Sequence, residues 1–179
     1  LHTHSSYSPM SGVPTLEALC QAARNQGAEY LALTDTNGLY GAIRFLDVAT
    51  HAGLRPILGA ELTHAGHRAV LLAKTPEGYA NLCRLLSARH TDPTFSLMEG
   101  VRQYRQGLII LSDDQTSLQS WRHESNQDLY VEVTPGDDLS QLTAFIRQTG
   151  LPPVATTRAV GLAPPDYRVH RLLRAIAEN

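Results

Sequence analysis

The first residues able to do chemistry stand at the start of the chain, where His2 and His4 flank Thr3. On an extended segment alternate side chains share a face, so both imidazoles can reach one metal ion while Thr3 points away. Ser5, Ser6, Tyr7 and Ser8 follow directly, ahead of a helical pattern, which makes the pair more telling than an isolated His-x-His. Two carboxylates also end apolar runs: Asp35 after Leu31-Ala32-Leu33-Thr34, and Glu61 after Pro56-Ile57-Leu58-Gly59-Ala60. A carboxylate at a strand end serves as a metal ligand or, equally, as a cap or loop hydrogen-bond partner. With Asn37 and Gly38 just behind it, Asp35 is assigned a turn-forming role first and a ligand role second.

The other titratable groups read more blandly. His64 and His67 lie close to Glu61, but their spacing does not put both rings on one strand face, so they are assigned to a surface loop. His51, His90, His123 and His170 fall in helical or connecting segments among charged neighbours. Asp113 and Asp114 follow a strand pattern, and helix capping ahead of Ser117 is preferred to metal ligation. No Gly-x-Ser-x-Gly elbow and no phosphate loop is present, and neither Cys20 nor Cys83 has a partner cysteine or histidine at a useful spacing. Any catalysis here would be metal-assisted hydrolysis.

The elements that must position these groups alternate along the whole chain. Leu1 to His4 reads as a short strand. Thr15 caps a helix to Gln26, ended by Gly27, with Leu16, Leu19, Cys20 and Ala23 on one face. Tyr30 to Thr34 is a strand, and Gly41 to Ala52 a helix with Ile43, Leu46 and Val48 among its apolar positions. Arg55 to Leu62 and Arg68 to Ala73 read as strands. Pro76 opens a helix with an apolar stripe of Tyr79, Leu82, Cys83, Leu85 and Leu86. A short helix follows near Ser96 to Tyr104, then a strand at Leu108 to Leu111 and a helix at Leu118 to His123. Tyr130 to Val133, Leu139 to Thr149 and Val154 to Thr156 continue the pattern as strand, helix and strand, and a final helix begins near Pro165. Such alternation implies parallel strands with helical crossovers. With no Gly-x-Gly-x-x-Gly after any strand, a barrel fits better than a dinucleotide-binding sheet. In a parallel barrel the strand C-termini would then gather His2, His4, Asp35, Glu61, Ser112 to Asp114 and Thr156 to Val160 at one mouth.

The 179 residues suit a single domain, and a formal net charge of -2 argues against a dedicated nucleic-acid surface. No apolar run of membrane-spanning length and no signal peptide are evident, so a soluble, cytoplasmic protein is expected. The two cysteines are read as reduced thiols in apolar helical patterns.

These residues resemble the PHP (polymerase and histidinol phosphatase) domain family. Leu1-His2-Thr3-His4-Ser5-Ser6-Tyr7-Ser8 is similar to its opening motif, Leu33 to Ala42 to its second, and Ile57-Leu58-Gly59-Ala60-Glu61 to its third. Val70-Leu71-Leu72-Ala73-Lys74 with Glu77-Gly78-Tyr79-Ala80-Asn81-Leu82-Cys83-Arg84-Leu85 resembles the version found in bacterial DNA polymerase III alpha-type subunits. Pro153-Val154-Ala155-Thr156 and the closing helix through Arg174-Ala175-Ile176 do so as well. The resemblance implies an α/β fold, a distorted seven-stranded (β/α) barrel, spanning residues 1–179 as the N-terminal piece of a longer polymerase.

The same resemblance implies a metal cluster, and carried over residue by residue that cluster is eroded. His2, His4 and Glu61 hold ligand positions, with Asp35 a further candidate. Ser11 stands where an acid is expected, and Thr36 where a histidine follows Asp35. Arg68 replaces the histidine before the Val-Leu-Leu-Ala strand, with His67 one residue out of phase. Asp113 is the best match for a ligand after Leu108 to Ser112, and Arg158 and Val160 replace a closing Asp-x-His. Three ligands imply at most one weakly held zinc or manganese ion and no hydrolytic cluster. Arg158 is expected to neutralise Glu61 or Asp35 in place of the metal. The implied partners are the remaining polymerase domains and a proofreading exonuclease subunit, with DNA met only through the parent chain. The competing expectation is a working phosphatase or in-cis 3'-5' exonuclease.

Overall fold

The computed structural model describes residues 1–178, which group into two compact units: residues 1–60 with 158–178, and residues 61–157.

In the first unit, helix α1 (Leu16–Asn25) starts where the Thr15 hydroxyl accepts the Ala18 N–H at 3.2 Å. It ends at Gly27, whose φ of 75° suits a residue without Cβ. Strand β1 (Tyr30–Leu33) follows, then α2 (Ala42–His51), then β2 (Arg55–His64), which pairs parallel to β1 with Tyr30 opposite Arg55. Leu16, Leu19 and Cys20 of α1, Leu31 and Leu33 of β1, and Phe45 and Ala49 of α2 bury one another with Leu54. Fully burying a side chain such as Phe45 is worth roughly 1.5–3 kcal/mol, so this cluster holds the unit's elements together. The apolar face of α2 differs from the expected one. Ala42, Phe45 and Ala49 are buried, whereas Ile43 points outward at 76% exposure, because three- and four-residue spacing from Phe45 selects 42 and 49.

The expected opening strand is reduced to one bridge, Thr3 with Ala159. Its backbone is nevertheless held on both sides: Thr34 N–H donates to the Thr3 carbonyl, His4 N–H to that of Ala159, and Ala159 N–H to that of His2. Two hydrogen bonds to Ala159 do not extend into a ladder, so six strands rather than seven are found among the described residues.

The second unit opens with the last residues of β2 and turns back through Ala65 and Gly66, both at positive φ, into β3 (His67–Ala73). Two residues of that conformation make a tight hairpin turn. Helix α3 (Pro76–Thr91) is capped by Thr75, and α4 (Leu97–Tyr104), β4 (Leu108–Ser112), α5 (Gln115–Arg122), β5 (Leu129–Val133), α6 (Leu139–Thr149) and β6 (Pro153–Ala155) follow. β4, β5 and β6 pair in parallel, as alternation implies, but β3 runs antiparallel to β4 with Val70 opposite Leu111. The all-parallel expectation fails at β3 because a two-residue turn cannot make a crossover. Val70, Leu71, Leu85, Ile110, Leu118, Val131 and the fully buried Trp121 are among the core residues, and the Trp121 indole N–H donates to the Met98 carbonyl at 3.0 Å.

The final helix α7 (Pro164–Ala177) belongs to the first unit, where the His170 ring Nδ1 donates to the Ser11 carbonyl at 2.7 Å. No described helix is long and apolar enough to cross a membrane. Cys20 is buried, Cys83 half-buried, and neither forms a disulfide.

Candidate metal centre

In the first unit His2 and His4 are fully buried, and their Nε2 atoms lie 2.9 Å apart with the rings tilted at 54°. They project from the segment that Thr34 and Ala159 clasp, so strand-like alternation does place both imidazoles on one side. Behind His4, its Nδ1 lies 3.0 Å from the Ser8 hydroxyl, which donates to Asp35 Oδ1 at 2.7 Å and accepts the Thr36 N–H at 3.0 Å. Asp35 also accepts the Ser5 N–H at 2.7 Å and the Ser5 hydroxyl at 2.8 Å. Burial pushes the Asp35 carboxyl above its usual range, against the opposing pull of the Ser5 and Ser8 donors. Asp35 therefore tethers the loop from Ser5 to Ser8. It thereby anchors the histidine segment.

In the second unit Glu61, one residue past Ala60 on β2, is buried and accepts from Arg68 Nη1 at 3.2 Å. The same guanidinium donates to Asp113 through Nη2, which also lies 3.3 Å from Glu132 Oε2. The other Glu132 oxygen accepts the Thr156 hydroxyl at 2.6 Å. Burial opposes charge on Arg68, but Asp113, Glu132 and Glu61 outweigh it and hold the guanidinium pKa above its usual value. A positive centre thus sits among three carboxylates on three strands or their ends. Asp113 is an ion-pair partner here.

The Arg68 guanidinium meets Glu61, a contact that the sequence does not signal. Glu132 escapes sequence reasoning altogether. Its only signal is a charged residue inside the apolar run Leu129-Tyr130-Val131-Glu132-Val133. Ser5 and Ser8 belong to the opening motif, but their types alone assign them no role. His67 is not in a loop but opens β3, where its ring Nδ1 lies 2.6 Å from Asp114 Oδ2, on the opposite side of the strand from Arg68. His64 ends β2 and packs its ring edge-on against Phe95. Asp114 caps α5 as expected, accepting the Thr116 N–H at 3.0 Å and the Ser117 hydroxyl at 2.6 Å.

The paired imidazole nitrogens of His2 and His4 suit a borderline cation such as zinc. Arg68 offsets part of the negative charge of Glu61, Asp113 and Glu132.

A family model described as PHP domain matches residues 1–148. An error-prone DNA polymerase of Symbiobacterium thermophilum is 48% identical over 91 residues, covering 50% of this chain and 8% of that protein. A DNA polymerase III subunit alpha of Buchnera aphidicola is 29% identical across 100% of this chain, which spans 18% of it. The chain thus spans less than a fifth of the length of these relatives. Among solved structures, a two-domain protein from Bacteroides vulgatus containing a predicted PHP-like metal-dependent phosphoesterase superposes with a TM-score of 0.67 at 14% identity, over 95% of this chain and 54% of that one. An amidohydrolase from Chromobacterium violaceum, solved with sulfate and no metal, gives 0.64 at 16% identity over 99% and 98%.

Proposed function

Since the chain belongs to the PHP domain family, we propose that it is the N-terminal PHP domain of a bacterial DNA polymerase III alpha-type subunit, with a degenerate metal site and a structural or interaction role. Residues 1–179 are read as that single domain, a distorted (β/α) barrel of the PHP type. The parent's nucleotidyl transfer, and its contact with DNA, would reside in other parts of the longer protein. The partners on this reading are those other polymerase domains and a proofreading exonuclease subunit.

One observation carries the reading: Arg68 stands between Glu61, Asp113 and Glu132, at the position where the resemblance expects a histidine ligand. A fixed positive charge there stabilises the carboxylates without a metal and weakens their pull on incoming cations. His2, His4 and Glu61 remain as the ligands of at most one weakly held zinc or manganese ion, all three being buried. Bound there, such an ion would act as a Lewis acid. This chain's residues would orient it but supply no second ion to clamp a phosphate.

The second reading is a working metal-dependent phosphoesterase, either a phosphatase or an in-cis 3'-5' exonuclease. It is favoured by the intact, buried His2–His4 pair. Elemental analysis of the purified chain, with hydrolysis of a generic phosphodiester in added manganese or zinc, separates the two. The degenerate reading expects at most one ion per chain and no turnover. Two or more tightly held ions, with turnover abolished in a His2→Ala, His4→Ala double variant, would establish the phosphoesterase.

A further inference from the structure

Ser8 Oγ carries one hydrogen and two lone pairs, and three neighbours compete for them. The Thr36 backbone N–H, 3.0 Å away, can only donate, so it takes one lone pair. Asp35 Oδ1, 2.7 Å away, already accepts the Ser5 N–H and serves as an acceptor, so it takes the Ser8 hydrogen. The remaining lone pair faces His4 Nδ1 at 3.0 Å, and the imidazole must donate to it. The Thr36 hydroxyl, 3.4 Å from the same nitrogen, is a second, weaker acceptor for that proton.

We propose that Ser8, oriented by Asp35, is a positioning residue that fixes His4 as the Nδ1–H tautomer and so turns the Nε2 lone pair toward His2. In the metal-free chain the 2.9 Å contact between the two Nε2 atoms is then a hydrogen bond donated by His2. The direction is set from the Asp35 end: one acceptor behind His4 determines which nitrogen carries the proton in front of it. A cation arriving at the pair finds His4 already in its ligating form, and only His2 has to move its proton to Nδ1. The cation class is a borderline divalent ion that prefers neutral imidazole nitrogen, zinc before magnesium. The zinc part of this inference rests on the ligand reading above; the tautomer does not.

The test is long-range proton–nitrogen NMR on metal-stripped chain with labelled imidazoles, His4 being assigned by the signal lost in His4→Gln. The expected spectrum shows a protonated Nδ1 and an unprotonated Nε2 for His4, and Ser8→Ala releases the ring to the other tautomer or a mixture. Zinc titration by calorimetry should then show Ser8→Ala binding about 10–100-fold more weakly than the parent sequence. A His4 ring protonated at Nε2 in the unaltered chain overturns the proposal, as does a tautomer unchanged in Ser8→Ala. The expected tautomer with no zinc bound by either form supports the Ser8 assignment and overturns the ligand reading instead.

Discussion

At the scale of single residues, Arg68 is the group on which most depends. Its guanidinium is buried among Glu61, Asp113 and Glu132, and removing one member of such a group leaves the others desolvated and uncompensated. Arg68→Met should therefore destabilise the chain by about 3–5 kcal/mol, read as a lower urea midpoint with an unchanged slope. Because the group is largely shielded from solvent, that loss should persist in high salt, where surface pairs such as Arg44 with Glu17 are screened. A variant within about 0.5 kcal/mol of the parent would show that the ion pairs contribute nothing net. The sequence marks Arg68 as a departure from the ligand pattern, because strand parity separates it from His67. It does not identify Arg68's partners. Glu132 and Asp113 reach the guanidinium across strands, and pairing across strands is not written in local spacing. That His2 and His4 share one side of their segment is legible, because alternation along an extended backbone is a local signal.

At the scale of elements, two caps are legible in the sequence and one strand direction is not. Thr15 and Asp114 cap the helices they precede, since a short oxygen-bearing side chain ahead of a helical pattern is a local signal, and the structure adds Thr75 and Asp138 as caps. The antiparallel β3 escapes because Ala65-Gly66 does not stand out as a turn. Two glycine substitutions separate the physical roles glycine plays here. At Gly66, with φ of 83° and open space where a methyl group would sit, Gly66→Ala should cost only the backbone strain of the left-handed region, about 1–2 kcal/mol. At Gly78 a Cβ would fall 1.8 Å from the Gly107 carbonyl oxygen, which also accepts the Lys74 N–H. Gly78→Ala must push α3 off that loop and should cost about 3 kcal/mol, the upper end of overpacking. Thermal or urea unfolding of both variants, with the order reversed, would contradict this assignment. Asp114 adds a pH-dependent term. Burial raises its pKa, but Ser117, His67 and the backbone donors of Ser117 and Thr116 outweigh that and hold it below the usual carboxylate value. A depressed folded pKa contributes stability above the unfolded value of about 3.9, and that stability is lost as pH falls through the folded one. Asp114→Asn should therefore lose most relative to the parent near neutrality, and the difference should shrink as pH falls through the folded value.

At the scale of the whole molecule, the alternation of elements is legible end to end, and the barrel it implies already brings Thr156 to Val160 back toward His2 and His4; which backbone groups meet is not legible. Residues 158–178 group with residues 1–60. The contacts that join them are specific: His4 N–H to the Ala159 carbonyl at 2.8 Å, Val13 N–H to that of Val160 at 3.0 Å, and the His170 ring to Ser11. The clasp holds the His2–His4 segment from the side opposite Thr34, so the geometry of that pair depends on residues at the far end of the described chain. Hydrogen exchange can measure this dependence. In the full chain the amides of His4 and Val13 should be protected, because each donates to the returning segment. A chain ending at Thr157 lacks both acceptors, and those two amides should exchange near the rate of an open backbone. The amides of Leu33 and Phe45 rest on the local core of α1, β1 and α2 and should keep most of their protection. Loss of protection across all four would mean that the returning segment is required for the first unit to fold at all. Retention at His4 and Val13 would mean that Thr34 alone suffices to order the segment.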